Sequence, residues 1–341
     1  MILIKYINIM RSFHLLCCIL FFISGRNGFT MNTNDSILSV ITFDNDKFFE
    51  LNKNDMEKLS WDKLPDFDGI VINSPDKIDV SKHVSFPVVA ATGYNGERNA
   101  SLMEERNIIA SVLGKNGSFF IGSAIHRKKA IKYPEPNEDN TSDESFKDVH
   151  YAGCEIYNLK KSLNLPLITD IYQVVFFYYD WFSNISITNV ENENEPNIFN
   201  YGKNTLPDIN LPLKPYSGNN AFIDFTLPQK IRRNDKKVNL SLRFRLPVEG
   251  KDKNDNNVNS RKIKLIFIKR NQDQKPVLNY EFSLFGSNEM DSKDTKLCFE
   301  GEYELEIGKH ILNDFSISES YCCYLITWGF VSGPVFVDII E

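Results

Sequence analysis

The stretch Val238–Arg245, VNLSLRFR, alternates apolar and polar side chains with a period of two. This alternation is typical of a β-strand that has one face in a core and the other in solvent. The stretch Lys262–Ile268, KIKLIFI, begins in the same way. From Val174 onward, short apolar segments of this kind alternate with polar loops, and no helical stretch is evident. The pattern predicts an antiparallel β-sandwich or jelly-roll-like domain over residues 175–341.

The first half of the chain has a different pattern, which predicts an α/β layer domain over residues 35–170. Two helices are expected, one from Asp46 to about Leu59 and one over Asn99–Gly114, where Gly114 is a natural stop. Four strands are expected at the apolar runs 37–43, 69–73, 86–91 and 118–125. Strands that alternate with helices favour parallel pairing. The fold class is therefore α+β with two domains, and the boundary is expected between residues 170 and 185.

An acidic segment interrupts this half at residues 134–148, PEPNEDNTSDESFKD. It holds six acids against the single cation Lys147 and has almost nothing to bury, so it is predicted to be an exposed loop. A calcium site is the alternative interpretation. The segment lacks the D-x-[DN]-x-[DN]-G spacing of a calcium loop, so no metal site is assigned.

The N-terminus predicts export. Phe13–Ile23, FHLLCCILFFI, is a continuous apolar run preceded by Lys5 and Arg11 and followed by small and polar residues. This arrangement is typical of a signal peptide, here residues 1–25, whose removal leaves no transmembrane segment. A buried helix or an uncleaved anchor is the alternative. The protein is thus expected in the secretory lumen or outside the cell, where it would meet a protein or glycan partner.

Cysteines and glycosylation sequons follow from this compartment. Six sequons are present, close to the number expected by chance, at Asn34, Asn99, Asn116, Asn140, Asn184 and Asn239. Four cysteines remain after the signal: Cys154, Cys298, Cys322 and Cys323. Cys322 and Cys323 are adjacent in a predicted strand and should point to opposite faces. One of them is expected to bond Cys298 and the other Cys154, with buried thiols as the alternative. No zinc-binding spacing occurs.

Charge is unevenly distributed along the chain. The net charge of −6 excludes a globally basic nucleic-acid binder. Between Lys230 and Arg270, however, fourteen basic residues face only four acids, which gives this segment a charge of +10.

The two alternating strands suggest where these cations lie. If Val238–Arg245 and Lys262–Ile268 pair, four cations line one exposed sheet face, and two arginines precede them; the candidate polyanion-binding residues are Arg243, Arg245, Lys262, Lys264, Arg232 and Arg233. A sulfated glycan or an anionic lipid surface is the expected ligand. The alternative is a solvated face that only prevents aggregation, and a glycan on Asn239 would obstruct the same face.

Sequence motifs of catalysis are missing. GxSxG, HExxH, GxGxxG, the P-loop and CxxC are all absent, so neither a catalytic residue nor a cofactor is assigned. The first hypothesis is a secreted, non-enzymatic binding or adhesion-type protein. One alternative is a carbohydrate-active hydrolase with an accessory β-sandwich, for which Asp66, Asp68 and Asp180 are candidate carboxylates. Another is a structural or chaperone-like protein of the secretory lumen.

Overall fold

Strands dominate the described part of the chain, and the helices there are short. The computed structural model describes residues 35–62, 64–65, 67–95, 108–124, 150–178, 181–191, 204–216, 220–235, 237–248, 258–270, 277–287, 297–316 and 318–341. The helices are α1 (35–40), α2 (Lys47–Glu50), α3 (Lys53–Asp62), α4 (Leu159–Leu163) and α5 (Gly308–Ile311). Among these helices, none combines the length and the apolar character that a bilayer crossing requires.

Nine of the described strands form two sheets in the first part of the chain. They are β1 (Gly69–Asn73), β2 (Lys77–Asp79), β3 (Pro87–Asn95), β4 (Ile109–Gly114), β5 (Phe119–Ser123), β6 (His150–Asn158), β7 (Asp170–Tyr178), β8 (Trp181–Phe182) and β9 (Ser186–Glu191). A three-stranded sheet has the order β1-β3-β6. A six-stranded sheet has the order β2-β9-β7-β4-β5, with β8 paired to β7.

Eleven further strands form two more sheets. They are β10 (Asn204–Thr205), β11 (Ile209–Asn210), β12 (Lys214–Pro215), β13 (Phe222–Thr226), β14 (Lys230–Arg232), β15 (Asn239–Pro247), β16 (Val258–Lys269), β17 (Val277–Ser287), β18 (Leu297–Glu306), β19 (Glu319–Thr327) and β20 (Phe330–Ile340). A seven-stranded sheet has the order β10-β17-β16-β19-β20-β14, with β11 paired to β17. A four-stranded sheet has the order β12-β18-β15-β13.

The four sheets are stacked, and an apolar core fills each space between neighbouring sheets. One core lies between the three- and six-stranded sheets and includes Val88 and Val174. Another lies between the seven- and four-stranded sheets and includes Leu242 and Leu265. A third joins the six-stranded to the seven-stranded sheet, and α1–α3 cover the outer face of the three-stranded sheet. Two β-sandwiches therefore pack against each other, so that both faces of the two middle sheets are buried.

Several predicted elements are confirmed. The runs at 69–73, 86–91 and 118–125 form β1, β3 and β5, and the helix expected from Asp46 is present as α2 and α3. The C-terminal half is β-rich, as its alternating strands predicted, and its described strands from residue 204 onward form two sheets around one core. The acidic segment 134–148 lies outside the described residues.

Two predicted elements of the first half are wrong. Residues 35–40 form a helix, where a strand was expected over 37–43. Ile37 and Ile41 are four residues apart and both fully buried, so they place one helical face on the three-stranded sheet. The helix expected up to Gly114 is instead β4 over its last six residues, all of them buried; residues 99–107 are not described.

The α/β arrangement expected for residues 35–170 is replaced by β-sheets. Among the described strands of this half, β2 and β9 form a parallel pair, whereas the other pairs are antiparallel. Strands buried on both faces read as continuous apolar runs, which is also the signature of a parallel sheet between helices. Here the covering layer on each side of the six-stranded sheet is another sheet.

A buried ion pair lies where the two sandwiches meet. Lys264 of β16 is 1% exposed, and its Nζ contacts the carboxylate of Glu281, its cross-strand neighbour on β17. The same Nζ lies 5.2 Å from the ring centroid of Phe119, which belongs to the six-stranded sheet. Gln173 of β7 adds polar contacts in the same space, because its side chain donates to Thr327 O and accepts from Gly329 N. Polar side chains therefore help to fix how the sandwiches pack.

Removing one member of this ion pair should be costly. Glu281→Leu takes away the carboxylate that neutralises the buried Lys264, so we expect a loss of about 3–5 kcal/mol in the free energy of unfolding. The double variant Lys264→Met/Glu281→Leu should lose clearly less, because no charge remains to be buried. Urea denaturation at pH 7 measures both. A double variant as unstable as Glu281→Leu alone would contradict the prediction.

Asn184 closes the edge of the three-stranded sheet. It lies between β8 and β9, and its carboxamide Oδ1 accepts from Ile72 N at 2.8 Å while Nδ2 donates to Ile72 O at 3.0 Å. These are the two hydrogen bonds that a neighbouring strand would make with β1. The side chain therefore ties the three-stranded sheet to the six-stranded sheet and satisfies an otherwise open edge.

Asn184→Ala should leave both backbone groups of Ile72 without this partner. We expect a loss of about 1–3 kcal/mol in the free energy of unfolding, measured by urea denaturation. Asn189→Ala is the control, since its carboxamide bonds only an exposed carboxylate, that of Glu191, and should change stability by less than about 0.5 kcal/mol. Equal effects of the two substitutions would refute the role of Asn184.

Candidate functional site

The four cations of the predicted polyanion face do not share a face. Alternation is confirmed, because Leu242 and Phe244 of β15 and Leu265 of β16 all face the same core. The two strands, however, belong to different sheets on opposite sides of that core. The expected pairing of residues 238–245 with 262–268 is therefore wrong. When two strands face each other across a core, their polar sides point in opposite directions.

Arg243 and Arg245 lie on the outer face of the four-stranded sheet, where carboxylates accompany them. Arg243 Nη2 is 3.1 Å from Asp224 Oδ2, and Arg245 Nη2 is 2.8 Å from Glu300 Oε1. The hydrogen bond from Arg245 lowers the pKa of the Glu300 carboxyl below its ordinary value. The neighbouring strand β18 adds Glu302, which is opposite Arg243 in the register. This face mixes both signs of charge and is a poor surface for a polyanion.

Lys262 and Lys264 lie on the face of the seven-stranded sheet that the six-stranded sheet covers. Lys264 is buried against Glu281 and Phe119, as described above. Lys262 Nζ is 3.6 Å from Glu281 Oε1. Its side chain also packs on the β4–β5 turn, where a Cβ added to Gly117 would meet Lys262 Nζ at 3.2 Å. Lys264 is buried, and Lys262 is exposed but lies beside the six-stranded sheet rather than on the open sheet face that the sequence predicted.

Arg232 and Arg233 are exposed at the edge of the seven-stranded sheet. Arg232 is the last residue of β14, and Arg233 follows it, held by a hydrogen bond from its backbone N to Ile340 O at 3.1 Å. Asp235 accepts a hydrogen bond from Arg232 N rather than from its guanidinium. Within the described part of the chain, neither guanidinium has a carboxylate within ion-pair distance.

Two further cations lie on this part of the sheet. Lys230 is exposed, and Ile231 beside it is buried in the core, so Lys230 and Arg232 project to the opposite face. Arg270, exposed at the end of β16, donates from its backbone N to Ser320 O at 2.9 Å. We call the four residues Lys230, Arg232, Arg233 and Arg270 the basic strip.

The basic strip lies beside an exposed aromatic ring. Phe336 of β20 is 38% exposed and pairs in register with Cys322, on the same face of the sheet. The guanidinium of Arg270 lies 4.6 Å from the ring centroid, an attractive cation–π distance. Among the described elements, the six-stranded sheet packs on this same face at Ile266 and Tyr324, whereas Phe336 and Asp338 are exposed.

Sequence reasoning found only part of the basic strip. Arg232 and Arg233 were among the candidates, whereas Lys230 and Arg270 were counted only in the segment charge. The available signal was the exposed–buried–exposed alternation of Lys230, Ile231 and Arg232. Phe336 gave no signal, because Arg270, which follows β16, and Cys322 of β19 become its neighbours only in the folded sheet.

The described sequons differ in accessibility. Asn184 uses both atoms of its carboxamide on Ile72, and the sequon hydroxyl of Ser186 is buried against Ser74 at 2.6 Å. Asn116 and Asn239 are exposed, although Asn239 Nδ2 donates to Glu304 at 3.0 Å. Asn34, Asn99 and Asn140 lie outside the described residues.

Metal-binding and catalytic groupings are the remaining candidate sites. No group of three or more His, Cys, Asp or Glu side chains in the described ranges is arranged to hold a metal ion. Of the candidate glycosidase carboxylates, Asp68 is described and exposed, whereas Asp66 and Asp180 lie outside the described residues.

The four cysteines of the predicted mature chain form no disulfide. Cys154 faces α1–α3 from the three-stranded sheet. Cys322 and Cys323 point to opposite faces of β19, as predicted, and enter different cores. Cys298 lies on the outer face of the four-stranded sheet, because its neighbour Phe299 fills the core. The expected bonds are absent because sheets separate the thiols from one another.

Burial should make these thiols slow to react in the native protein. Desolvation raises the pKa of the Cys154 thiol to about 12 and that of Cys323 above its ordinary value. We expect iodoacetamide at pH 8 to alkylate both residues only after unfolding in guanidinium, as measured by peptide mass spectrometry. Recovery of either residue in a disulfide-linked peptide from the non-reduced protein would contradict this arrangement.

Comparison with known proteins gives no further guide to the site. Neither a scan against protein-family models nor a search of curated proteins finds a match for this chain. Its function is therefore inferred from its own residues and their geometry.

Proposed function

We propose that the protein is a secreted, non-enzymatic binding protein that docks a polyanion, a sulfated glycan or an anionic surface, on its basic strip. Four cations grouped at one end and edge of a sheet attract an extended anion more strongly than the same cations would if they were dispersed. The export part of the proposal rests on the apolar run Phe13–Ile23 and its flanking residues.

The observation that carries this proposal is the difference between the six basic candidates in their carboxylate partners. Arg243 and Arg245 are ion-paired, and Lys262 and Lys264 are both close to Glu281. An anion must displace a carboxylate to reach any of these four. Lys230, Arg232 and Arg233 are exposed and have no ion pair within the described ranges, so an anion that binds there displaces no ion-paired carboxylate.

Edge location also favours binding at the basic strip. β14 is a three-residue edge strand that pairs only with β20 in the described sheet. A long anion can therefore run past the sheet edge without meeting the acidic outer face of the four-stranded sheet. Because the chain has a net charge of −6, attraction depends on this local field and should weaken as salt shortens its reach to about 10 Å at 0.1 M.

Replacing exposed cations of the basic strip should weaken retention on heparin-type resin. We expect the wild-type protein to bind at low salt and Lys230→Ser/Arg232→Ser/Arg233→Ser to bind about tenfold more weakly, since several exposed charge contacts are lost. Elution in a salt gradient and equilibrium binding to the soluble glycan measure the effect. Circular dichroism checks that the triple variant is folded.

Arg243→Ser/Arg245→Ser is the matched control. It removes two cations from the same sandwich, but these cations are neutralised by Asp224 and Glu300, so retention should stay near that of the wild type. Flow-through of the wild-type protein at low salt would overturn the proposed function. If the control lost more heparin affinity than the triple variant, the assignment of the site to the basic strip would be wrong.

A further inference from the structure

A cross-strand row of four polar side chains runs through the basic strip. Lys230 pairs in register with Asp338, Asp338 with Ser320, and Arg270 continues the pairing through its bond to Ser320 O. Paired residues project to the same face, and neighbouring strands are 4.7–4.9 Å apart, so the two cations at the ends are about 14 Å apart. The row therefore reads cation, carboxylate, hydroxyl, cation.

The carboxylate in the middle of the row limits which anion fits. Asp338 is exposed, and Ser320 Oγ donates to its Oδ1 at 2.6 Å. Its Oδ2 accepts from no side chain in the described part of the protein. A ligand whose surface carries only phosphate or carboxylate oxygens would place negative charge against Asp338. A ligand with a hydroxyl between its anionic groups would instead donate a hydrogen bond to Oδ2, a charge-assisted bond of the stronger kind.

Phe336 adds an apolar surface next to the row. It lies two residues before Asp338 on the same strand, which is about 7 Å along the sheet on the same face. Its ring is 38% exposed, with the Arg270 guanidinium on one side. The C–H face of a sugar ring packs well on such an aromatic surface, whereas a phosphate chain has no apolar face to offer.

From this juxtaposition we propose that the basic strip recognises a sulfated carbohydrate, whose hydroxyl groups donate to Asp338 while its sulfates meet Lys230 and Arg270. The inference rests on the proposed function and narrows its ligand to one class. An anionic lipid surface or a phosphate polymer would use the same cations, but neither supplies both the hydroxyl donor and the apolar ring face.

Asp338→Asn separates recognition of hydroxyls from simple charge attraction. The asparagine keeps an oxygen that can accept from Ser320, and it replaces a negative acceptor by a neutral amide. If a sugar hydroxyl donates to Asp338, the variant should bind heparin about tenfold more weakly even though its net charge is more positive. Binding to inorganic polyphosphate should strengthen or stay unchanged, because the substitution removes the repulsion between Asp338 and that polymer.

Glu304→Gln is the control with the same charge change, placed on the outer face of the four-stranded sheet, and it should leave both affinities near the wild-type values. Stronger heparin binding by Asp338→Asn would overturn the carbohydrate inference and leave the polyanion site standing. If the wild-type protein sediments with phosphatidylserine vesicles but does not bind heparin, the carbohydrate inference would also be overturned. Wild-type protein that binds neither glycan, polyphosphate nor vesicles would refute the proposed function itself.

Discussion

Face-to-face packing of the six-stranded on the seven-stranded sheet is the constraint on which the rest of the structure depends. Aromatic and branched side chains fill this interface, and Phe177 of β7 lies 4.6 Å from Tyr324 of β19, centroid to centroid. Because each of these sheets already has a core on its other face, the packing buries both on two sides. Such sheets have no solvent face of their own, so exposed polar groups collect at sheet ends, at edges and on the outer layers.

This packing also determines where charge is available. It buries Lys264, and the contact with Glu281 offsets the desolvation cost of that charge. It also packs the Lys262 side chain against the β4–β5 turn. The six-stranded sheet does not extend over the end of β20, so Lys230, Arg270 and Phe336 stay exposed there. The basic strip is thus an exposed part of the seven-stranded sheet and of the residues that follow β14 and β16.

Local periodicity predicted much of the second sandwich and less of the first. In β15, strict alternation placed Leu240, Leu242 and Phe244 in a core, as the structure has them. In β4, every residue is buried, so the run carries no alternation and a helix fitted equally well. The short helix α1 is likewise hard to distinguish from a strand by sequence alone, because its buried face is marked by only Ile37 and the following Ile41.

The candidate site was predictable only in part, for a different reason. Each side chain's face follows from alternation, but which strand lies beside it follows from tertiary packing. Alternation therefore predicted that Arg243 and Lys264 are neighbours, although a core separates their strands. Lys230 and Arg270 lie on the same sheet face three strand spacings apart, and no local sequence pattern encodes this arrangement. The predicted disulfides are wrong for the same reason, because the spacing of the cysteines in the sequence does not reveal which sheets lie between their thiols.

Lysine labelling of the native protein tests the packing most directly. A brief pulse of an amine-reactive ester, followed by peptide mass spectrometry, compares Lys264 with Lys230 in one experiment. If the six-stranded sheet covers the seven-stranded sheet, Lys264 should remain unmodified until the protein unfolds, whereas Lys230 should react as fast as an unfolded lysine. Equal labelling of the two residues in the folded protein would contradict the stacked arrangement and the location of the site derived from it.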